Sequence, residues 1–136
     1  MTYALSGALQ AAVYAALNAD ATLTGLVAGA IYDAVPSGIL PATYVSLGAE
    51  RVRDASDATG SGALHRIFVS VVTTQPGFST AKSVAGAVSD VLHDADLLLS
   101  RGRLVFLRFE RAEARRIDAG AGREIRMIFR ARVEDD

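Results

Sequence analysis

The stretch Arg123-Glu-Ile-Arg-Met-Ile-Phe-Arg-Ala-Arg-Val-Glu134 alternates with a period of two. Ile125, Met127, Phe129, Ala131 and Val133 point to one side, and Glu124, Arg126, Arg130, Arg132 and Glu134 to the other, with Ile128 as the exception. That is the pattern of a β-strand with one buried face. Upstream lies the glycine-rich turn Asp118-Ala-Gly-Ala-Gly122, and before it a second run, Leu104 to Ile117. Together they predict a long C-terminal hairpin. A register in which partners sum to about 240 pairs Arg116 with Glu124 and Glu110 with Arg130 favourably. It sets Leu107 against Val133 and Phe109 against Ala131, with Arg108 facing Arg132 as a cost. In that register Ile125, Met127 and Phe129 stand beside Arg115, Glu113 and Arg111, so only one arm of the tip is apolar. Two readings stay open: another chain covers the strip, or the stems of the charged side chains fold over it.

Working towards the N-terminus, Ala81, Val84, Ala85, Val88, Val91 and Leu92 follow helical spacing behind a cap at Ser79 or Thr80. Residues 65–74 read as a strand, followed by a turn at Gln75-Pro76-Gly77. Pro41 opens an extended segment over 43–47, and residues 31–35 read as a short strand. Leu5, Leu9, Val13 and Leu17 mark an amphipathic helix near the start of the chain. Its second face carries Tyr3, Gly7, Gln10 and Tyr14, either covered as well or lying at the core's edge. Asp20 is placed to cap a short helix bearing Leu23, Leu26 and Val27, which ends at Gly29. Residues 48–63 show no apolar period and mix Glu50, Arg51, Arg53, Asp54 and Asp57 with small residues. They read as a flexible loop, either a binding or assembly element or a plain connection.

Length and composition bound the function. The chain has 136 residues, 51% of them apolar and 21% charged, so it reads as a single domain over 1–136 with a real core. There are no cysteines, which excludes a disulfide scaffold, thiolate metal sites and cysteine nucleophiles. A formal net charge of −1 supplies no global attraction to nucleic acid or anionic lipid. The charge is uneven: residues 1–48 hold only Asp20 and Asp33, and all basic residues but Lys82 are arginines. Base composition of the genome accounts for such a bias equally well, but arginines favour forked contacts with carboxylates and phosphates. The uncharged N-terminus lacks the positive start of a signal peptide, and its apolar run falls short of a membrane span, so the reading is no export signal and no transmembrane helix.

Nothing in the sequence assembles a catalytic group. His65 reads as a strand-edge residue and His93 as a residue at a helix C-terminus, where a cation is favourable. His93, Asp94 and Asp96 make a poor metal site. GxSxG, HExxH and GxxxxGK[ST] are missing, and Gly60-Ser-Gly62 lacks the flanks of a phosphate cradle. Arg101, Arg103 and Arg108 with Arg126, Arg130 and Arg132 allow a basic stripe, but interleaved acids blunt it. No enzyme, cofactor or metal is expected.

The ordered features resemble a known family. They run through Leu17, Asn18-Ala-Asp20, Leu23, Leu26-Val27, Gly29, Ile31-Tyr32-Asp33, Val35-Pro36, Pro41, Tyr44-Val45 and Gly48, then the 65–72 strand, the 81–92 helix and the closing hairpin. This series is similar to the tail terminator (tail completion) proteins of long-tailed phages, most of all the version in gene transfer agents of alphaproteobacteria. The resemblance spans nearly the whole chain and rests on order and spacing. It implies an α+β fold: a mainly antiparallel sheet of four to five strands, two or three helices on one face, and the long hairpin. It further implies a homo-hexameric ring on the head-proximal end of the tail tube. Such a ring ends tube growth and meets the tube protein and a head-side connector or stopper. DNA passes through its lumen without sequence-specific binding. The protein would assemble in the bacterial cytoplasm and end in the particle's tail. Another neck component is the runner-up, and a small-ligand module the outside alternative. The family brings no catalytic residues. The polar segment and the hairpin tip suit ring or tube contacts, with Arg51, Arg53, Asp54, Asp57, Arg111, Glu113, Arg115, Arg116, Arg123, Ile125 and Met127 as the expected interface residues.

Overall fold

The computed structural model describes residues 3–56 and 60–135. The N-terminal periodicity becomes α1 (Ser6–Ala19), which buries Leu9, Val13 and Leu17. The Asp20 carboxylate accepts from the Leu23 amide at 2.9 Å and so caps α2 (Ala21–Val27), which ends through Ala28 and Gly29 in left-handed conformations. Two short strands follow, β1 (Ile31–Tyr32) and β2 (Thr43–Ser46). Next come β3 (Glu50–Asp54), β4 (Ser61–Thr73) and α3 (Ser79–Leu92). The hairpin closes the chain as β5 (Arg103–Ile117) and β6 (Gly122–Asp135). The expected caps of α3 are not used: Ser79 and Thr80 lie inside its first turn and Phe78 precedes them without a side-chain cap.

The strands form one sheet in the order β1-β2-β4-β6-β5, with β3 also paired to β4. Only β1 and β2 run parallel. The α+β expectation holds, with six strands. The additional one is β3, from the segment read as a flexible loop. Residues Glu50 to Asp54 pair antiparallel with β4 from Ile67 to Ala63. β2 pairs with the other half of β4, from Thr73 to Ser70. Leu47, Gly48 and Ala49 bridge the two halves as a bulge, with Gly48 at φ +126° and the Phe68 amide donating to the Ala49 carbonyl. The apolar signal was absent because β3 is an edge strand, where charged side chains protect free backbone groups.

The odd-numbered residues of β4 and β6 form the buried face. Val71 lies opposite Ile125, Val69 opposite Met127, and Ala63 opposite Val133. With the apolar stripes of α1, α2 and α3 they make one core cluster, so all three helices lie on this face. The hairpin register differs from the expected constant sum. Near the tip Arg115 faces Glu124 and Ala114 faces Ile125, one residue away from expectation. A register shift at Glu110 then brings Phe109 opposite Phe129 and Arg108 opposite Arg130, and a second at Val105 brings Leu104 opposite Val133. A one-residue slip exchanges the two faces of a strand. Ala112 and Ala114, not the charged residues, therefore flank Met127 and Ile125. These two are 2% and 5% exposed in one core cluster with the helices, so neither another chain nor the charged stems cover the strip, and the expectation of Ile125 and Met127 as interface residues is corrected.

His65 is also corrected: it is fully buried within β4, because an edge position was inferred without knowing that β3 and β6 flank it. Its Nδ1 is 3.3 Å from Glu50 Oε2, while its Nε2 has no partner among the described residues. Ser6 and Tyr3 both donate to Glu50 Oε1. Glu50 thus ties the start of α1 to two strands. Burial pushes its carboxyl up, but the hydrogen bonds from Ser6, Tyr3 and His65 outweigh that and hold it below its ordinary 4.5.

Two expected outcomes follow from this packing. At Gly102 the backbone has φ +65°, and an added Cβ would lie 2.6 Å from the Glu134 carbonyl oxygen and 2.9 Å from Leu5. Gly102→Ala should cost about 1–3 kcal/mol in urea unfolding, and an unchanged midpoint would show that residues 101–103 relax freely. Because the folded Glu50 carboxyl is depressed, its contribution is complete above pH 4.5 and is lost as pH falls through the folded value. Glu50→Gln should lower stability at pH 7 by about 1–3 kcal/mol and flatten the acid limb of a pH–stability curve. An acid limb identical to that of the unsubstituted protein would refute the assigned role.

Candidate assembly interface

Alternation that buries one face of the sheet sends the other set of side chains to the helix-free face. On β3 this set is Arg51 and Arg53; on β4 it includes Leu64, Arg66 and Phe68. On β6 it includes Arg126, Ile128, Arg130 and Arg132, and on β5 Phe106, Arg108, Arg111, Glu113 and Arg115. Arg103 and Glu134, opposite each other and ion-paired, extend the set at the far end.

The arginines lie over apolar neighbours. The guanidinium carbon of Arg108 is 4.5 Å from the Phe106 ring centre and that of Arg130 is 5.6 Å from it. Arg126 stands 5.6 Å over Phe68. These are cation–π distances, which set the guanidinium groups against the rings. Internal ion pairs use part of the charge: Arg66 Nε is 3.1 Å from Glu110 Oε1, and Arg115 Nη2 is 2.8 Å from Glu124 Oε1. Arg132 donates to the Ala55 carbonyl at 2.9 Å and is 3.3 Å from Glu134. An open hollow of about 630 Å³ lies among Arg51, Arg66, Phe68, Glu110 and Arg126.

The residues singled out from the sequence separate into three groups. Arg51, Arg53, Arg111, Glu113 and Arg115 come together on this face, although about sixty residues divide them in the chain. Arg116 and Arg123 face each other near the tip on the other side of the hairpin, with Arg123 Nη1 3.5 Å from the Gln75 carbonyl. Asp54 ends β3, where hydrogen bonds from the Ser56 hydroxyl and amide hold its carboxyl below the ordinary range. Ile125 and Met127 belong to the core, and Asp57 lies outside the described residues. Sequence reasoning missed Arg66, and it set aside Arg108, Arg130 and Arg132 as a solvated stripe. Their side of β6 was legible from alternation, but the approach of β3 and β4 was not.

A second open groove, of about 960 Å³, runs along the other face of α1 and is lined by Tyr3, Gly7, Gln10, Tyr14 and Asp33. Its carboxylates are engaged: Gln10 donates to Asp33, and Glu50 accepts from Tyr3, Ser6 and His65. At the end of α3, His93 accepts the Phe109 amide through Nδ1 at 3.0 Å. Among the described residues, no group of three His, Asp or Glu side chains is placed to hold a metal ion. No described helix is long and apolar enough to cross a membrane.

Comparison with known proteins agrees with this architecture. The family model described as "Tail completion protein gp17" matches residues 11–134. A solved chain from "Virion of native gene transfer agent (GTA) particle" is 61% identical, with a TM-score of 0.93. The match covers 98% of this chain and 99% of that one. No curated protein sequence matches. The family match spans most of the chain, from α1 to β6, and places this protein in the gp17 tail completion family of virion-tail structural proteins.

Proposed function

We propose that this protein is the tail terminator of a gene-transfer-agent-type particle. Six copies form a ring on the head-proximal end of the tail tube, end its polymerisation and present a surface to a head-side connector or stopper. DNA passes through the lumen without sequence-specific contacts. Assembly takes place in the bacterial cytoplasm, and the protein stays in the finished tail. The observation that carries this reading is the 61% identity with a chain of a gene transfer agent virion over nearly the full length of both. The fold supports it: a sheet covered by helices on one side leaves one broad, charged face, which suits a subunit that works by contact. The ring reading draws on heterologous contacts, in which different patches of each copy meet around a closed cycle.

The deciding experiment is electron microscopy of particles from cells lacking this protein. Overlong tubes, or tails left unjoined to filled heads, are expected. Normal-length tails joined to heads would overturn the terminator assignment.

A further inference from the structure

Four strands place arginines in one row across the helix-free face. Arg51 on β3 stands opposite Arg66 on β4, Arg66 opposite Arg130 on β6, and Arg130 opposite Arg108 on β5. At the usual strand spacing the row is about 14 Å long. Like charges directly opposite each other destabilise a sheet. Only part of that cost is offset within the chain: Glu110 pairs with Arg66, and Asp94 stands 3.7 Å from Arg108. No ion pair of Arg51 or Arg130 occurs among the described residues, and Arg130 Nε is buried without a hydrogen-bond partner. The adjoining row adds Arg53 and Arg132, with Leu64 and Phe106 between them.

The imbalance extends over the whole face. With Arg103, Arg111, Arg115 and Arg126 it holds ten arginines against four glutamates, a surplus of six positive charges. The complete chain has fourteen basic and fifteen acidic residues. Outside the face, the described residues hold four basic and nine acidic residues, a net charge of −5, and Asp94 among the nine reaches Arg108 at the edge of the face. The near-neutral total hides a positive sheet face on an otherwise negative molecule.

The occupant of this face must answer arginine with carboxylate or phosphate. A phosphate backbone is bound chiefly by charge, and the four glutamates of the face would repel it. The half-buried Leu64, Phe68 and Phe106 interleaved with arginine, and the only lysine placed elsewhere on α3, match the core of a protein interface, where Arg and aromatic residues are enriched and Lys depleted. The chain itself carries the complementary charge. We infer that the helix-free face of the sheet docks on a second copy of this chain, its arginine row receiving carboxylates from outside that copy's sheet face. This rests on the ring reading and assigns the positive side of its heterologous contact. Charge pairs of this kind fix partner and register more than they add affinity.

The near-absence of lysine gives a direct test. Arg51→Lys and Arg53→Lys keep the charge on two exposed side chains and introduce an amine that a zero-length carbodiimide joins to touching carboxylates. Assembled particles carrying each variant would be coupled, run on a denaturing gel and mapped by peptide mass spectrometry, with unsubstituted particles setting the background from Lys82. Covalent dimers and higher multimers of this chain, several-fold above background and joined from the introduced lysine to a carboxylate outside the sheet face, are expected. Coupling only to a different virion protein, coupling that appears only after nuclease removes the DNA, or no coupling would each overturn the inference. Cryo-electron microscopy of the same particles reads the copy number separately. A six-copy ring without self-coupling would overturn the face assignment alone, whereas the lack of such a ring would remove the reading beneath it.

Discussion

The pairing of β6 with β4 is the constraint on which the rest of the structure depends. It runs without a break from Ser61 opposite Asp135 to Thr73 opposite Arg123. The odd-numbered positions of both strands are predominantly apolar over that length, so pairing them gathers one apolar set on one side and, with Leu64, Phe68 and Ile128 interspersed, an arginine-rich set on the other. Burial of the apolar set against α1, α2 and α3 is the dominant favourable term. The same register leaves Arg66 facing Arg130. The positive face is thus a consequence of the core: shifting one strand by one residue to separate the arginines would expose Val69 and Val71 if β4 moved, or Met127 and Phe129 if β6 moved.

The two irregularities of β5 adjust its register to this frame. Residues at Val105 and Glu110 step out of the ladder, and each step moves the pairing by one. The shift at Glu110 places Phe109 edge-on to Phe129, with ring centres 5.8 Å apart, and frees the Glu110 carboxylate to reach Arg66. At the other edge the bulge over Leu47, Gly48 and Ala49 lets one extended segment serve both halves of β4. It also brings Glu50 to His65, Ser6 and Tyr3, which fastens the start of α1 to the sheet. Bulges here connect the apolar core to polar clusters that sequence spacing alone would have kept apart.

A virion-tail structural protein has to be read through surfaces, since it belongs to an assembly of proteins. The charge distribution is then more informative than any pocket. A formal net charge of −1 argues against a basic binding protein, and the folded molecule is nonetheless strongly polar, with one sheet face positive. Such a distribution favours association between unlike surfaces and disfavours face-to-face pairing of like ones, an asymmetry that fits the proposed head-to-tail ring.

Alternation in residues 123–134, the glycine-rich turn, the helical spacing of Ala81 to Leu92 and the Asp20 cap are local signals, so the sequence by itself determined the hairpin, the helices and the α+β class. The order of the family's features along the chain was legible for the same reason. Four features needed the tertiary structure. Strand β3 was hidden because an edge strand with one polar partner cluster carries no apolar period. The burial of His65 and the register of the hairpin depended on neighbours far away in sequence and on two bulges that no local signal marks. The arginine row was decided last. Its four members come from four strands, and only the pairing of those strands, driven by burial on the opposite face, brings their charges into line.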